Sequence, residues 1–212
     1  PEEEDAFRQA RARFVRDFKV GNGLFYSDDL FDALTNSLDL YDGNGTAYLI
    51  SAFSSETTLA DYRPATLKNC LTILKQVARI LSRLHTAGYL YLDLKPENIL
   101  VADSYTLRVQ LFDLDSLIPM ADLEHPDLAG GLRLSYTRGF APLELQTNRF
   151  SQIGPHTDVY SLGALLFYLM YGTTPTAEHR EEDAVFDDAG SAYASEAYGD
   201  KFWFALTDFF HH

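Results

Sequence analysis

The chain has 212 residues, of which 46% are hydrophobic and 14% aromatic, so it can bury a substantial core and is not a disordered or low-complexity protein. Its 17 basic and 31 acidic residues give a formal net charge of −14. Because that excess would repel nucleic-acid phosphates and anionic membrane surfaces, we expect no nucleic-acid partner.

The sequence shows neither a membrane-spanning segment nor a secretory signal peptide. The longest apolar run, SLGALLFYLMYG at residues 161–172, is shorter than the roughly 20 residues of a membrane-spanning helix. Four of the first five residues are acidic, whereas a signal peptide begins with basic ones. The single cysteine, Cys70, lies at an apolar helical position, which indicates a buried thiol in a reducing compartment. We therefore expect a cytoplasmic protein without a membrane span.

The N-terminal quarter of the chain predicts one helix and one hairpin. Aromatic residues recur at helical spacing over residues 2–18, with acids before arginines as the helix dipole favours. Strand-like runs flank Asp-Gly-Asn-Gly at residues 42–45, and we expect those glycines to supply the positive backbone angles of a tight turn. Residues 37–53 are therefore predicted to form an antiparallel pair.

The middle of the chain predicts a long helix followed by two short strands. After Pro64, apolar residues at i, i+3, i+4 and i+7 predict an amphipathic helix to about residue 85. Residues 99–101 and 108–113 read as strands, and residues 114–134, with few periodic signals, predict a long surface segment of the kind that often carries function.

The C-terminal part predicts a buried helix over residues 158–171, because its sequence is apolar on all sides. Thr157 or Asp158 would cap its start, and Gly172 would end it. Residues 176–200 are acidic and small and are expected to be exposed, before a last aromatic helix at residues 201–212.

One cluster of polar residues carries the groups that phosphoryl transfer needs: a carboxylate, a cation and hard oxygen ligands for magnesium. In YLDLKPENIL, Asp93 would orient the attacking hydroxyl, Lys95 would contact the phosphate and Asn98 would bind the metal. A hairpin would return Asp113 beside Asn98 as a second metal ligand. In isolation the cluster could equally be a solvated turn, since Asp, Pro and Asn favour turns for backbone reasons.

Further segments make the chain resemble the protein kinase family. LHTAGYLYLDLKPENILV at residues 84–101 is similar to the family's catalytic loop with its flanking helix and strand, and LFDLD at 111–115 stands where the metal-binding Asp-Phe-Gly would be. TRGFAPLE at 137–144 resembles the segment that closes the activation loop, and DVYSLG at 158–163 resembles the start of the helix that anchors the catalytic loop. These segments occur in the family's order.

The resemblance implies an α+β fold with the two lobes of a protein kinase. NGTAYLISAF at residues 44–53 resembles the strand that leads into the hinge, and RFVRDF at 13–18 resembles the regulatory helix. The implied division is a partial β-rich N-terminal lobe over residues 1–53 and a mainly helical C-terminal lobe over residues 54–212.

The resemblance also implies roles for individual residues. Asp93 would be the catalytic base, Lys95 the phosphate contact, Thr137 the threonine that closes against the catalytic loop, and Asn98 and Asp113 the magnesium ligands. Lys95 and Thr137 point to serine/threonine kinases rather than tyrosine kinases.

The nucleotide-binding residues implied by the resemblance are spread along the chain. Phe53 and Ser54 would lie at the hinge against adenine, Leu100 on the adenine floor and Ser51 at the position that guards the back pocket. Asp17 would be the acidic partner of an ATP-contacting lysine. A further implied contact is Asp158, which would hold the catalytic loop through backbone hydrogen bonds.

Three departures from the family pattern bear on activity. Tyr91-Leu92-Asp93 replaces His-Arg-Asp, so the arginine that pairs with a phosphorylated activation loop is absent, and Asp115 replaces the glycine of Asp-Phe-Gly. No glycine-rich loop or strand lysine precedes Asp17, and GNGLFY at residues 21–26 follows a helix where the family's phosphate loop follows a strand. We expect the chain to be a fragment that lacks the first strands of the fold.

The expected function is ATP- and Mg²⁺-dependent phosphorylation of serine or threonine hydroxyls in protein substrates. One alternative is a pseudokinase, a nucleotide-binding or scaffolding module that keeps the fold without turnover. Another is a small-molecule kinase of the aminoglycoside or choline type, which shares the Asp93-to-Asn98 spacing. The segments at residues 139–144 and 158–163 speak against it, because those enzymes lack the peptide-binding region that they frame.

Overall fold

A computed structural model describes the chain over residues 2–27, 30, 33–35, 37–44, 46–51, 57–126, 132, 134–176 and 191–193. The helices of these ranges are α1 (Glu2–Phe25), α2 (Leu67–Thr86), α3 (Met120–Glu124), α4 (Leu143–Gln146) and α5 (Pro155–Tyr171). The strands are β1 (Ser37–Gly43), β2 (Thr46–Ser51), β3 (Thr57–Thr58), β4 (Tyr89–Leu90), β5 (Ile99–Asp103), β6 (Arg108–Leu111) and β7 (Ile118–Pro119). This is the α+β architecture expected from the sequence.

The strands form small antiparallel sheets. β1 pairs with β2 as the predicted hairpin, β5 lies between β3 and β6, and β4 pairs with β7. Among the described residues of the β1–β2 turn, Asn44 has a positive backbone angle, with φ of 55°, and Gly43 does not; Gly45, the other glycine of the prediction, lies outside the described residues. Asparagine tolerates this left-handed conformation better than most residues.

The core lies where α2 packs against α5 and β6. Thr66 caps α2 by accepting a 3.1 Å hydrogen bond from the backbone N–H of Asn69. Six positions of the predicted apolar stripe of α2 are buried, and Ile73 and Ile80 are buried beside them, whereas Leu71 and Ala78, also predicted on the stripe, are half-buried. The buried set is Leu67, Cys70, Ile73, Leu74, Val77, Ile80, Leu81 and Leu84. Burial of each leucine or isoleucine side chain contributes roughly 1.5–3 kcal/mol, so this stripe is the main link between α2 and the rest of the core.

The first helix is longer than its sequence pattern predicts. α1 continues to Phe25, so Gly21 and Gly23 are helical and do not form a phosphate loop. A Cβ on Gly21 would lie 2.9 Å from Leu114 Cδ1, which shows why a small residue stands there. The close approach of α1 to the 3₁₀ turn at Leu114–Ser116 offsets the cost of glycine inside a helix, about 1 kcal/mol relative to alanine.

The predicted start of α5 and the predicted end of β6 are wrong by two or three residues. α5 begins at Pro155 instead of residue 158, because proline suits the first helical position and Thr157 Oγ1 accepts a 3.2 Å hydrogen bond from the backbone N–H of Gly154. β6 ends at Leu111, and the chain then turns through Asp113 in the left-handed conformation. Gly172, with φ of 74°, ends α5 as predicted.

Part of the tail that was expected to be exposed is buried. Ser191 and Tyr193 are 8% and 4% exposed, the backbone N–H of Ala192 donates to Met170 O, and Tyr193 donates its hydroxyl to Pro64 O. The predicted last helix at residues 201–212 lies outside the described residues. None of the described helices has the length and apolar character needed to cross a bilayer.

Candidate active site

The loop between β4 and β5 is held from below by one buried carboxylate. Asp158, at the start of α5, is completely buried and accepts hydrogen bonds from the backbone N–H groups of Tyr91 and Leu92, at 3.0 and 2.8 Å. His85 Nε2 lies 2.8 Å from the same carboxylate, so this histidine packs beside the loop as part of its support. The loop needs this support because Leu92 is held at a φ of 63°, a strained angle for a branched residue.

Three predicted site residues meet above this support. Thr137 donates a 2.6 Å hydrogen bond from its hydroxyl to Asp93 Oδ1, and Lys95 Nζ donates to Asp93 Oδ2 at 2.8 Å. Lys95 Nζ also donates to Thr137 Oγ1 at 3.1 Å. Asp93 is only 5% exposed, so its carboxylate has little contact with water. The Lys95 ammonium group and the Thr137 hydroxyl stabilise its negative charge by donating hydrogen bonds to it.

Asn98 joins the same cluster from the 3₁₀ turn at Pro96–Asn98. Its amide nitrogen donates to the backbone oxygen of Asp93 at 3.0 Å and lies 3.5 Å from Asp93 Oδ2. With the nitrogen committed in this way, the amide oxygen is the atom that remains for a metal ion. Asparagine oxygen is a ligand that Mg²⁺ accepts.

The β5–β6 hairpin returns the chain beside Asn98, as the sequence predicted. Leu111 pairs with Ile99, and the backbone N–H of Phe112 donates to the carbonyl of Asn98 at 3.1 Å, so Asp113 follows directly beside Asn98. Asp113 itself is exposed and adopts a φ of 57°. Within the described part of the chain, no group of three or more His, Cys, Asp or Glu side chains converges on a metal-sized site.

Asp115 adds a second carboxylate next to Asp113. The pKa of Asp115 is raised, first because surrounding protein atoms partly remove its carboxylate from water and second because Asp113 is negatively charged. Part of its surface remains exposed, so the shift is moderated by solvent. Aspartate in place of the family's glycine thus adds a second carboxylate to the candidate metal loop, and its raised pKa shows that the nearby Asp113 and partial burial disfavour its charged form.

The predicted nucleotide-binding residues are not all brought together. Leu100 lies in the centre of its sheet, 9% exposed, opposite Thr58 on β3 and Gln110 on β6. Ser51 is exposed at the end of β2, in a separate two-stranded sheet.

The structure does not describe the side chains of the other predicted nucleotide-binding residues. Asp17 is in α1, but its side chain is outside the described residues, and Phe53 and Ser54 lie outside them altogether.

Tyr91 is a site residue that sequence reasoning did not assign. It is completely buried, and its hydroxyl donates to the backbone carbonyl of Phe112, so it ties the loop that carries Asp93 to the residue before Asp113. Burial is the first cause that raises the pKa of Tyr91 far above its usual value, followed by the charge of Asp113. The available sequence signal was a tyrosine two positions before Asp93, within an apolar run.

Leu92 also gains a role from the structure. It stands where the family's arginine would be, is 1% exposed, and packs in an apolar cluster with Ile118, Leu123, Ala141 and Leu145. This cluster joins the catalytic-loop candidate to the segments before and after residues 127–131. Apolar packing therefore occupies the position at which the family pattern has a charged arginine.

Comparison with known proteins finds a matching family and several similar proteins. The family described as protein kinase domain matches residues 30–200. The probable serine/threonine-protein kinase KCC4 of Saccharomyces cerevisiae is 28% identical over 160 residues, covering 68% of this chain and 14% of that protein. The serine/threonine-protein kinase cds1 of Schizosaccharomyces pombe is 24% identical over 166 residues, covering 74% of this chain and 35% of that protein.

A bacterial relative shows the same likeness. The serine/threonine-protein kinase PknL of Mycobacterium tuberculosis is 30% identical over 105 residues, covering 50% of this chain and 25% of that protein. The matched region thus spans about a third or less of each of these relatives. The family match runs from before the β1–β2 hairpin to beyond α5 and includes the Asp93, Lys95 and Asn98 loop, so this chain belongs to the protein kinase family.

Proposed function

We propose that the chain is an ATP- and Mg²⁺-dependent serine/threonine protein kinase in which Asp93 is the catalytic base. The observation that carries this proposal is the contact among Asp93, Lys95 and Thr137, which places a carboxylate, an ammonium group and a hydroxyl within 3.1 Å of one another. The relatives whose names describe serine/threonine kinases support the choice of substrate hydroxyl. Its substrates would be proteins, and its location the cytoplasm.

In the proposed reaction, Asp93, Lys95 and Thr137 each have a different role. A serine or threonine hydroxyl of the substrate would hydrogen-bond to Asp93, which would take its proton as the oxygen attacks the terminal phosphorus of ATP. Lys95 would offer its ammonium group to the charge on the transferred phosphoryl group. Thr137 would hold the Asp93 carboxylate in the orientation that the hydroxyl needs. ADP and the phosphorylated hydroxyl would be the products.

Asn98 and Asp113 are proposed to hold Mg²⁺. Their donor atoms fit a hard cation, because one is an amide oxygen on a side chain fixed by Asp93 and the other is an exposed carboxylate at the end of the same hairpin. When bound, the ion supplies positive charge to the phosphates.

For the nucleotide, we propose Leu100 on the adenine floor, Phe53 and Ser54 at the hinge, and Ser51 at the position that guards the back pocket. Asp17 would be the acidic partner of an ATP-contacting lysine. The burial of Leu100 in a paired strand supports its assignment, because an apolar floor requires a side chain that cannot move away.

Activity is proposed to be independent of phosphorylation between α3 and residue 137. The buried Leu92 replaces the arginine that would receive such a phosphate, and its cluster with Ile118 and Leu123 supplies a contact that needs no charge. An unphosphorylated preparation should therefore transfer phosphate as fast as one treated with an upstream kinase.

The test is phosphoryl transfer from labelled ATP to a generic basic protein in the presence of Mg²⁺. The unchanged full-length protein should transfer label, whereas its Asp93→Asn and Asp113→Ala variants should not. Equal transfer by all three proteins contradicts the assignment. A pseudokinase is the second candidate, favoured by the added charge of Asp115; it is supported if no protein transfers label but ATP still raises the melting temperature.

A further inference from the structure

A small basic cavity lies between α2 and β6, lined by none of the candidate active-site residues. Its volume is about 200 Å³. The exposed side chains of Arg79, Arg83 and Arg108 line it together with the buried apolar residues Ala33, Ile80 and Val109. The cavity therefore combines positive charge at the surface with an apolar floor.

The charge is unusual for this chain. α2 carries four of the 17 lysines and arginines and none of the 31 acidic residues. Lys75, Arg79 and Arg83 follow one another at spacings of four, which places like charges on adjacent turns and weakens an isolated helix. Within the described residues, neither Arg79 nor Arg83 forms an ion pair. A partner that carries negative charge would remove this repulsion.

The far wall of the cavity is fixed in place. Gln76 Nε2 donates a 2.7 Å hydrogen bond to the backbone carbonyl of Leu107, which ties the β5–β6 turn to α2 just before Arg108. Arg108 pairs in register with Asp103 across the hairpin, so its charge is partly balanced within the chain. The free positive charge is therefore that of Arg79 and Arg83, held on a regular helix.

Size and charge limit what can bind here. Sites for small-molecule cofactors typically have about 300–1,000 Å³, so this cavity suits a single side chain better than a nucleotide. The net charge of −14 disfavours polyanions such as nucleic acid and anionic bilayers, whereas a short acidic segment meets only the local arginines. The β5–β6 turn also presents Tyr105, 98% exposed, and Tyr and Arg are enriched at protein interfaces.

We propose that this surface docks an acidic segment of a partner protein, with one aliphatic side chain in the cavity and flanking anionic side chains on Arg79 and Arg83. Arginine suits this task, because its planar guanidinium group pairs with carboxylate or phosphate oxygens in a two-pronged geometry. Docking of this kind requires no phosphoryl transfer and is separate from the proposed kinase activity.

The test is fluorescence anisotropy of a labelled synthetic peptide, in which glutamates flank one leucine, titrated with the full chain without ATP. Binding should weaken with salt, and the double variant Arg79→Glu/Arg83→Glu should raise the Kd about tenfold or more. Arg149→Glu, an exposed charge reversal outside the cavity, should leave the Kd within about twofold. Replacing the peptide leucine by glycine should also weaken binding.

Absence of peptide binding overturns the proposal, as does an equal loss of affinity in Arg149→Glu. So does binding to vesicles of anionic lipid that depends on Arg79 and Arg83 when the peptide does not bind. A second peptide with phosphoserines in place of the glutamates distinguishes the two anionic sources, and tighter binding of either one supports docking. Unchanged melting temperatures show that each variant is folded.

Discussion

Thr137 and Asp93 are 44 positions apart in the chain, yet the hydroxyl of Thr137 donates a 2.6 Å hydrogen bond to Asp93 Oδ1. Lys95 Nζ contacts both side chains, at 2.8 Å from Asp93 and 3.1 Å from Thr137. The segment after residue 134 is thus joined to the loop before β5 by a charged hydrogen-bond network. Such networks orient a carboxylate more firmly than a single contact does.

Replacing Thr137 by valine should lower kcat for phosphoryl transfer about tenfold to a hundredfold. The change keeps the side-chain shape but removes a hydrogen bond to a charged group, worth roughly 1.5–3 kcal/mol. Steady-state kinetics with varied ATP should show a smaller effect on KM for ATP than on kcat. Thr137→Ser is the matched control, because it keeps the hydroxyl. Loss of activity in the serine variant equal to that in valine would argue against an orienting role.

Replacing Asp158 by alanine should destabilise the fold by about 3 kcal/mol. It leaves the buried backbone N–H groups of Tyr91 and Leu92 without acceptors, and each unsatisfied group costs roughly 1–3 kcal/mol. Urea unfolding followed by circular dichroism measures this change. Asp61→Ala provides the control, since Asp61 is an exposed aspartate and its loss should cost less than about 0.5 kcal/mol. Equal midpoints for the two variants would contradict the anchoring role.

Cys70 should be inert to thiol reagents in the native protein and reactive after unfolding. Burial raises the pKa of its thiol from 9.0 to about 12, an effect that a hydrogen bond with Tyr193 only partly reduces. At pH 8 the native thiolate fraction is therefore about a thousandfold lower than in the unfolded chain. Labelling by iodoacetamide, followed by mass spectrometry with and without urea, checks the difference. Rapid labelling of the native protein would show that the thiol is accessible.

The raised pKa of the Cys70 thiol should also make the stability of the protein depend on pH in the alkaline range. The native thiol keeps its proton up to about pH 12, whereas the unfolded thiol loses it near pH 9, so the unfolded state binds fewer protons between these values. The contribution of Cys70 to stability is therefore complete below pH 9 and is lost as pH rises from 9 toward 12. Urea midpoints of the unchanged chain should fall more steeply over this range than those of Cys70→Ala.

Replacing Gly139 by alanine should disturb the segment that carries Thr137. Gly139 has φ of 97°, and a Cβ there would lie 2.7 Å from Thr174 Oγ1. Gly172→Ala is the control that separates backbone strain from steric clash. Gly172 also has a positive φ, 74°, but a Cβ on it meets no atom within 4 Å. We expect about 1–2 kcal/mol of destabilisation for Gly172→Ala, and for Gly139→Ala a larger loss together with reduced phosphoryl transfer. Equal effects on stability would mean that Thr174 moves aside easily.

The local elements of the core could be predicted from the sequence because their patterns are periodic. The stripe from Leu67 to Leu84 predicted α2, and the glycine at residue 172 predicted the end of α5. The ends of α1 and β6 could not be predicted in this way. Gly21 lies in the helix where a Cβ would come within 2.9 Å of Leu114 Cδ1, and β6 ends at Leu111, which pairs with Ile99 at the start of β5, so both ends depend on residues far along the chain.

By itself the sequence determined the order of the segments and the residue types of the candidate site: Asp93, Lys95, Asn98 and Asp113 occur at spacings that a loop and a hairpin can bring together. Only the tertiary structure decided which of them touch. The family resemblance implied that Thr137 and Asp158 contact the loop, but it is the packing that gives their hydrogen bonds to Asp93 and to the backbone of Tyr91 and adds the hydrogen bond from Tyr91 to Phe112. The physical reason is that periodicity reports which side of an element is buried, whereas hydrogen bonds across the core depend on how elements pack.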